Sequence, residues 1–303
     1  MRLVTRSDFD GLVTAVLFRK LGMIDDMKFV HPKDMQDGLV EITSNDILTN
    51  VPFIEGCGLW FDHHASELKR SQEEGFTYEG EIRIADSAAR VVYDFYGGRD
   101  KFGPFFDSIM EGVDKADAAK FSREDILNPQ GWDLLSFIMD SRTGLGRYRD
   151  FRISNYQLME KLVGLCLEQS LEEIMQDEDV RQRVERYFEL DALFRDMLIA
   201  HTRVEGNAII TDLRGVETIY PGNRFLVYAL HPEQNVSLWI VDGFQKQNCA
   251  IACGHSIVNR SCGVQVGYLM REFGGGGHEA AGTCQVSYES ADEAIEAIIQ
   301  RFN

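Results

Sequence analysis

The sequence predicts an α/β protein: a mostly parallel sheet in an N-terminal domain, a helical connector, and a smaller α/β C-terminal domain with a mixed sheet. Three observations carry this reading. Up to about residue 150, short apolar runs alternate with stretches of helical apolar spacing. Residues 155–177 and 179–201 are charge-rich but keep apolar side chains at helical spacing. From Val204 onward the pattern changes to short apolar strands separated by turn residues. The expected boundaries are 1–150, 151–203 and 204–303. A chain of 303 residues is long enough for two separate cores.

Residues 2–5 read as a first strand. Leu12, Val13, Val16, Leu17 and Leu21 then recur at helical spacing, with Gly22 placed to end the helix. Asp8 and Asp10 therefore lie on a strand-to-helix turn. Side chains two apart in extended backbone point the same way, so both carboxylates can face one ion. One Asp there also suits a helix cap; a second needs another cause. Further strands are expected at 27–31, 46–50 and 59–62, and helices at 87–96 and 104–113. The 59–62 strand runs into Phe61-Asp62-His63-His64, placing one acid and two imidazoles where a strand gives way to a loop. That edge is where open α/β sheets bind ligands. Carboxylate and imidazole together suit borderline divalent metals such as manganese or zinc. The basic segment 141–152, with Arg142, Arg147, Arg149 and Arg152, reads as a solvated loop rather than a polyphosphate track.

The C-terminal part is expected to hold strands at 208–211, 224–230, 237–241 and 248–252, with a hairpin turn around Gly243 and Gln245-Lys246-Gln247. Val264, Val266, Leu269 and Met270 mark an apolar helix face ahead of Phe273-Gly274-Gly275-Gly276-Gly277-His278. Four consecutive glycines expose backbone N–H groups and admit a ligand at close range, and His278 can donate to a phosphate. A strand at 283–286 and a closing helix at 291–302 follow. His31 and His231 each precede a proline at a strand end and read as structural. His255 precedes the Arg260 segment and is a secondary candidate for the substrate.

Together, Asp8-Phe9-Asp10-Gly11, Asp62-His63-His64 and the GGGGH segment with its trailing Ala280-Ala281-Gly282 resemble the DHH phosphoesterase family over nearly the whole chain. The resemblance implies a metal-binding N-terminal domain, a helical connector and a substrate-binding C-terminal domain, with catalysis at the cleft between the domains. It implies metal ligation by Asp8, Asp10, Asn50, His63 and Asp117, the last from Asp117-Ala118-Ala119-Lys120-Phe121, with Asp114 as the fallback. It implies catalytic roles for His64, as proton donor, and Asp62. Substrate contacts are implied for Asn259, Arg260, Ser261, Gly275, Gly276, Gly277 and His278.

Two positions depart from the family pattern. Val4 stands where many members carry a metal-binding His, and Asn50 stands where an acid bridges two ions. Valine has no donor atom, and a neutral amide bridges two cations poorly. Arg6 cannot ligate a metal, because a guanidinium stays protonated and offers no acceptor, but it can clamp a phosphate oxygen. The expected cofactor is thus a divalent metal, manganese with magnesium or zinc as alternatives, as one ion rather than two, with Arg6 in the place of the other. The expected activity is metal-dependent hydrolysis of a small phosphoanhydride or phosphodiester: polyphosphate, a cyclic or linear dinucleotide, or a short oligonucleotide. The alternative is a degenerate, non-catalytic nucleotide- or polyphosphate-binding protein.

Composition narrows the partners. A formal charge of −18 argues against broad binding of long duplex nucleic acid, which needs many basic phosphate contacts. The expected partner is a small anionic phosphate substrate. No apolar run is long enough to span a bilayer, and Met1 to Thr5 leads straight into the first motif, so residence in the cytoplasm is expected and no membrane partner. Six cysteines in a chain of this size do not form a disulfide framework. The helical connector offers a surface for oligomerisation.

Overall fold

The computed structural model describes residues 1–303, the side chains of Pro32 and Gln36 excepted. In chain order the N-terminal elements are β1 (Arg2–Arg6), α1 (Phe9–Lys20), β2 (Asp26–Val30), α2 (Pro32–Gln36), β3 (Asp46–Thr49), β4 (Leu59–Asp62), α3 (Ala65–Glu74), β5 (Gly80–Ile82), α4 (Ala88–Phe95), α5 (Gly98–Phe102) and α6 (Asp107–Asp117). Then come α7 (Arg123–Leu127), α8 (Gly131–Met139), α9 (Asn155–Glu168), α10 (Leu171–Gln176) and the long α11 (Glu178–His201). The C-terminal elements are β6 (Thr202–Glu205), β7 (Ala208–Asp212), α12 (Leu226–Leu230), β8 (Val236–Asp242), β9 (Cys249–His255), α13 (Val266–Glu272), β10 (Gly276–Gly277), β11 (Ala281–Val286) and α14 (Tyr288–Gln300). They form two compact units. One contains Met1–Lys120 and Gln130–Arg186, the other Phe121–Pro129 and Tyr187–Asn303, so the segment expected as a connector is divided between them.

The first unit is built on a five-stranded sheet in the order β2-β1-β3-β4-β5, with every pairing parallel. The chain leaves β1 for β2 on one side and returns to β3 on the other. The switch point therefore falls between the C-terminal ends of β1 and β3, where such sheets open a crevice. Helix α1 is buried from Phe9 to Phe18 and packs against α4, α6 and α9. A separate cluster of Val4, Val30, Met35, Leu48, Trp60 and Ile82, with Phe53, Phe76 and Tyr78, forms a further apolar layer.

A line of buried hydroxyls ties the strand ends to the first helix. Thr5 Oγ1 donates to the Thr49 carbonyl at 3.0 Å. Thr49 Oγ1 donates to Thr5 Oγ1 at 2.8 Å and lies 3.0 Å from Thr14 Oγ1. Each hydroxyl here has a partner, so burying the set is not penalised. The N-terminus of α1 is pressed onto β1 at Gly11, where a β-carbon would lie 1.9 Å from the Arg6 carbonyl oxygen.

The second unit carries a six-stranded sheet, β10-β11-β9-β8-β7-β6, parallel only between β7 and β8. Its core joins alternate strand residues to Val266, Leu269 and Met270 of α13 and to Ala291, Ile295, Ile298 and Ile299 of α14. All six cysteines are free thiols. Among the described residues no helix is long and apolar enough to cross a membrane.

One element differs in type from expectation. The apolar run expected as a strand at 224–230 is helix α12, preceded by a turn in which the Asn223 side chain accepts from the Phe225 N–H at 3.0 Å. Leu226, Val227, Tyr228 and Ala229 are all buried. A short segment covered on every side shows no period by which helix and strand can be told apart.

Candidate metal centre

The C-terminal ends of β1, β3 and β4 bring the sequence-marked residues of the first unit together. Asp10 lies in the first turn of α1, 1% exposed. Its two carboxylate oxygens accept from the backbone N–H groups of Ala88 at 3.0 Å and Ala89 at 2.7 Å. These are the first N–H groups of α4, whose positive end favours an anion. Asp117 is the last residue of α6, at the helix end that favours a cation. His63 follows β4, and its Nε2 lies 3.1 Å from Asp117 Oδ2 and 4.0 Å from Asp10 Oδ2. Each of the three offers a ligand atom within 4.8 Å of the others.

The donor set fits a divalent cation. Nδ1 of His63 is 3.2 Å from the Ala85 carbonyl, a group that can only accept. Nδ1 must therefore carry the proton, and Nε2 is left with a bare lone pair aimed at the carboxylates. That Nε2 is buried without a hydrogen-bond partner, despite its closeness to Asp117. Burial, then the neighbouring His64, holds the His63 imidazole below its ordinary pKa and so neutral, the form that ligates. Burial, reinforced by Asp8, pushes Asp10 up to about 7, against the pull of its two backbone bonds. Burial, Asp10 and Asp8 also raise Asp117 well above the usual carboxylate range. Such a group of carboxylates resists simultaneous ionisation until a positive charge sits among them.

The sign of this linkage makes a prediction. An acid with a raised pKa binds more protons when folded than when unfolded, so its contribution to stability is lost as pH rises from the ordinary carboxylate value toward about 7 for Asp10. A bound cation removes that loss and competes with protons for the same oxygens. The rise in melting temperature on adding manganese to chelator-treated protein is expected to be larger near pH 7.5 than near pH 5. An equal rise at both would disconnect the cation from these acids.

Asp8 is engaged differently. It caps α1 by accepting from the Gly11 N–H at 3.0 Å. It also accepts from Nδ2 of Asn50 at 3.2 and 3.4 Å and pairs with Nε of Arg6 at 3.0 Å. Asn50 itself, in left-handed backbone at φ 54°, has a buried Oδ1 without a partner. Val4 is fully buried in the apolar layer beside β1. Asp114 binds Ser87 Oγ at 2.7 Å and Arg90 Nη2 at 2.7 Å, tying α4 to α6.

Asp62, 1% exposed, accepts at one oxygen from both the backbone N–H and Nδ1 of His64, each at 2.7 Å. Burial acts to lower the His64 pKa, but the bond and charge of Asp62 outweigh it and the imidazole is held above its usual value. One further group was not singled out by its sequence context. Burial acts to lower the Arg142 pKa, but Asp140, helped by Asp8 and Asp117, holds the guanidinium above its usual value, and the only local sign of it is the Asp two positions earlier.

In the second unit the glycines serve close packing. A β-carbon on Gly275 would meet the Thr283 carbonyl at 2.0 Å, and one on Gly277 the Ala281 carbonyl at 2.2 Å. Gly276 and Gly277 pair with β11, and the N–H groups of Gly274, Gly275 and His278 donate to backbone carbonyls. The His278 and Glu279 carbonyls in turn accept from Gly267 and Val266, the first N–H groups of α13. Gly276 alone of the four glycines at 274–277 combines ordinary backbone with open space above its Cα. His278 and Arg260 are exposed. Asn259 is fixed by its Nδ2 bond to the Glu233 carbonyl at 2.7 Å, and Ser261 accepts from Asn235 at 3.1 Å. His255 is tied to the Val264 carbonyl at 2.8 Å.

Among solved structures, the chain is similar to a pGpG-specific phosphodiesterase, PggH from Vibrio cholerae. The two are 48% identical over 100% of this chain and 98% of that one, with a TM-score of 0.88. It is also similar to RecJ from Thermus thermophilus in complex with Mn²⁺, at 17% identity over 100% of this chain and 52% of that one, TM-score 0.49. The DHH domain of a member of the S1p family of ribosomal proteins matches at 11% identity over 99% of this chain and 86% of that one, TM-score 0.48. At those values the last two carry nothing about chemistry. No protein-family model and no curated protein matches the chain.

Proposed function

The chain belongs to the DHH family of phosphoesterases, and from that premise we propose that it is a metal-dependent phosphodiesterase that hydrolyses short linear dinucleotides of the pGpG type to mononucleotides. Likeness to a pGpG-specific enzyme over nearly the full length of both chains supports the substrate. The observation that carries the chemistry is the convergence of Asp10, His63 and Asp117 with a bare, buried Nε2 among them.

Those three residues would hold one manganese ion. Mixed oxygen and nitrogen donors suit it. The place of a second ion is filled, because Gly11, Asn50 and Arg6 already satisfy Asp8, and the Arg6 charge repels another cation. When bound, the ion supplies a water activated near neutral pH and a counter-charge for the phosphoryl oxygens. Arg6, held through Nε by Asp8, keeps its terminal nitrogens for a phosphoryl oxygen. Asp62 orients His64 and keeps it protonated. His64 gives that proton to the leaving nucleoside oxygen as the phosphorus–oxygen bond breaks. Asn259, Arg260, Ser261, Gly275, Gly276, Gly277 and His278 are assigned to substrate holding on their motifs alone.

The test is mononucleotide release, with manganese, from a linear diguanylate, a cyclic dinucleotide and polyphosphate in parallel. We expect the linear dinucleotide to be cleaved on the order of a hundredfold faster than the others, about 3 kcal/mol of discrimination. The rate should fall as pH rises through the raised His64 pKa, and His64→Gln should flatten that alkaline limb. Preferred cleavage of polyphosphate would defeat the substrate assignment, and an unchanged limb would defeat the role of His64.

A further inference from the structure

Helix α13 turns one side to the core and carries an unclaimed pair of side chains on the other. Val266, Leu269 and Met270 are buried in the core of the second unit. Tyr268 stands among them in sequence yet is 65% exposed. Arg271, one turn on, lays its guanidinium over the Tyr268 ring, 5.2 Å from the ring centre. Among the described residues no carboxylate pairs with Arg271, although the chain holds 49 acids against 31 lysines and arginines. The residue before Tyr268 fixes where this pair stands. The Gly267 N–H donates to the His278 carbonyl at 2.8 Å, and the Val266 N–H to the Glu279 carbonyl at 2.9 Å. A β-carbon on Gly267 would lie 2.5 Å from the Gly277 carbonyl oxygen, so α13 touches the glycine loop at that point. Arg271 follows Gly267 by four residues and lies on the same side of the helix. The tyrosine and arginine therefore stand beside Gly277 and His278, on a helix hydrogen-bonded to that segment.

We propose that Tyr268 is the stacking platform for a guanine base of the substrate, the base of a nucleotide held at the Gly276–His278 loop. This deepens the pGpG-type reading and rests on it. A base has a flat π-face, and single nucleotides are commonly held by stacking on a tyrosine ring. The ring is bare enough to take one: most of it is open to water, and covering it with a base removes apolar surface from water. Its setting is rigid, because Gly267 fits against the loop only without a side chain and the next three core residues anchor the helix. Arg271 is a positioning residue. Its charge over the ring steadies the tyrosine, and its positive charge suits a polyanionic substrate in a chain of net charge −18. Neither side chain is part of the apolar core, so removing either tests binding rather than folding.

The experiment uses the full chain loaded with manganese and a linear diguanylate. Tyr268→Ala should raise KM roughly tenfold or more, the usual effect of removing a stacking ring, with the loss carried by KM rather than kcat. Tyr268→Phe, which keeps the ring, should restore the wild-type KM. Arg271→Gln should raise KM by less than Tyr268→Ala does, and Arg271→Lys should recover part of that loss. An unchanged KM in Tyr268→Ala, or an equal rise in Tyr268→Phe, overturns the proposal. Binding is read separately by calorimetry with guanosine 5′-monophosphate and ribose 5-phosphate, which share the phosphate and differ in the base. The wild type must bind the nucleotide more tightly, Tyr268→Ala must lose that difference, and Tyr268→Phe must keep it. Equal binding of the two ligands by the wild type, or a difference that Tyr268→Ala retains, overturns the platform. A wild type that cleaves no dinucleotide yet shows this ligand pattern refutes the proposed function and upholds the platform.

Discussion

His63→Ala is expected to remove both the bound metal and the phosphodiesterase activity while leaving the fold in place. The imidazole supplies the only nitrogen in the donor group, and its Nε2 makes no hydrogen bond that the fold would miss. Loss of partners that merely orient metal ligands costs about 10–100-fold, so loss of a ligand should exceed about a hundredfold in kcat/KM. Elemental analysis should find about one manganese per wild-type chain, as a single-ion site requires, and almost none in the variant. The melting temperature of metal-free protein should fall only modestly: the side chain is 11% exposed and its Nδ1 bond to the Ala85 carbonyl is lost, but it is no part of the apolar layer around Trp60. Retained metal with unchanged turnover would show that the ion, if it binds, sits elsewhere. Two metals per wild-type chain would refute the reading of Arg6 and Asn50 as occupants of the second position.

Gly11→Ala should be nearly as damaging, for a reason that involves no chemistry of its own. The new methyl would lie 1.9 Å from the Arg6 carbonyl oxygen and 2.9 Å from Thr5 Oγ1. The carbonyl is backbone at the end of a central strand, so α1 must move away from β1. Arg6, Asp8 and Asp10 all ride on that junction, and Asp10 also meets the N-terminus of α4. A misplacement of about 1 Å at a catalytic centre costs about a hundredfold in rate, and forced overpacking costs about 1–3 kcal/mol. Gly164→Ala is the matched control. It lies exposed within α9 with no atom near its new methyl, and alanine there should stabilise by about 0.5–1 kcal/mol through helix propensity and reduced freedom of the unfolded chain. Opposite shifts in melting temperature for two identical substitutions would confirm the local geometry. A fully active, equally stable Gly11→Ala protein would show that the junction is looser than these distances allow.

Much of the first unit was legible. The four expected strands at 2–5, 27–31, 46–50 and 59–62 appear within a residue or two at each end, and the all-parallel sheet follows from their alternation with helices. Strands feeding helices leave their C-terminal ends on one edge, so Asp8, Asp10, Asn50 and Asp62-His63-His64 had to gather there. The short strand β5 and the loop at Ala85 went unnoticed, because their contribution to the centre is made by main-chain groups. Ala85 offers a carbonyl, Ala88 and Ala89 offer N–H groups, and every residue carries those. Arg142 was legible only as charge, since nothing in a run of arginines marks which one a buried Asp will hold still. The four glycines were visible, but their packing against β11 and α13 was not, because an approach between distant segments leaves no trace in local pattern.

By itself the sequence determined the chemical alphabet of this protein: which acids and imidazoles stand at strand ends, that a valine and an amide replace two expected donors, and that the net charge is strongly negative. The tertiary structure alone decided how those groups are shared out. It sets Asp10, His63 and Asp117 around one point, turns Asp8 toward Arg6 and Asn50, gives Asp114 to Arg90, and leaves His64 to Asp62. Spacing along a helix or strand fixes only the face on which a side chain lies. The distance between faces on different elements is set by how closely they pack, here by α1 against β1 at Gly11 and by α4 seated on the Asp10 carboxylate.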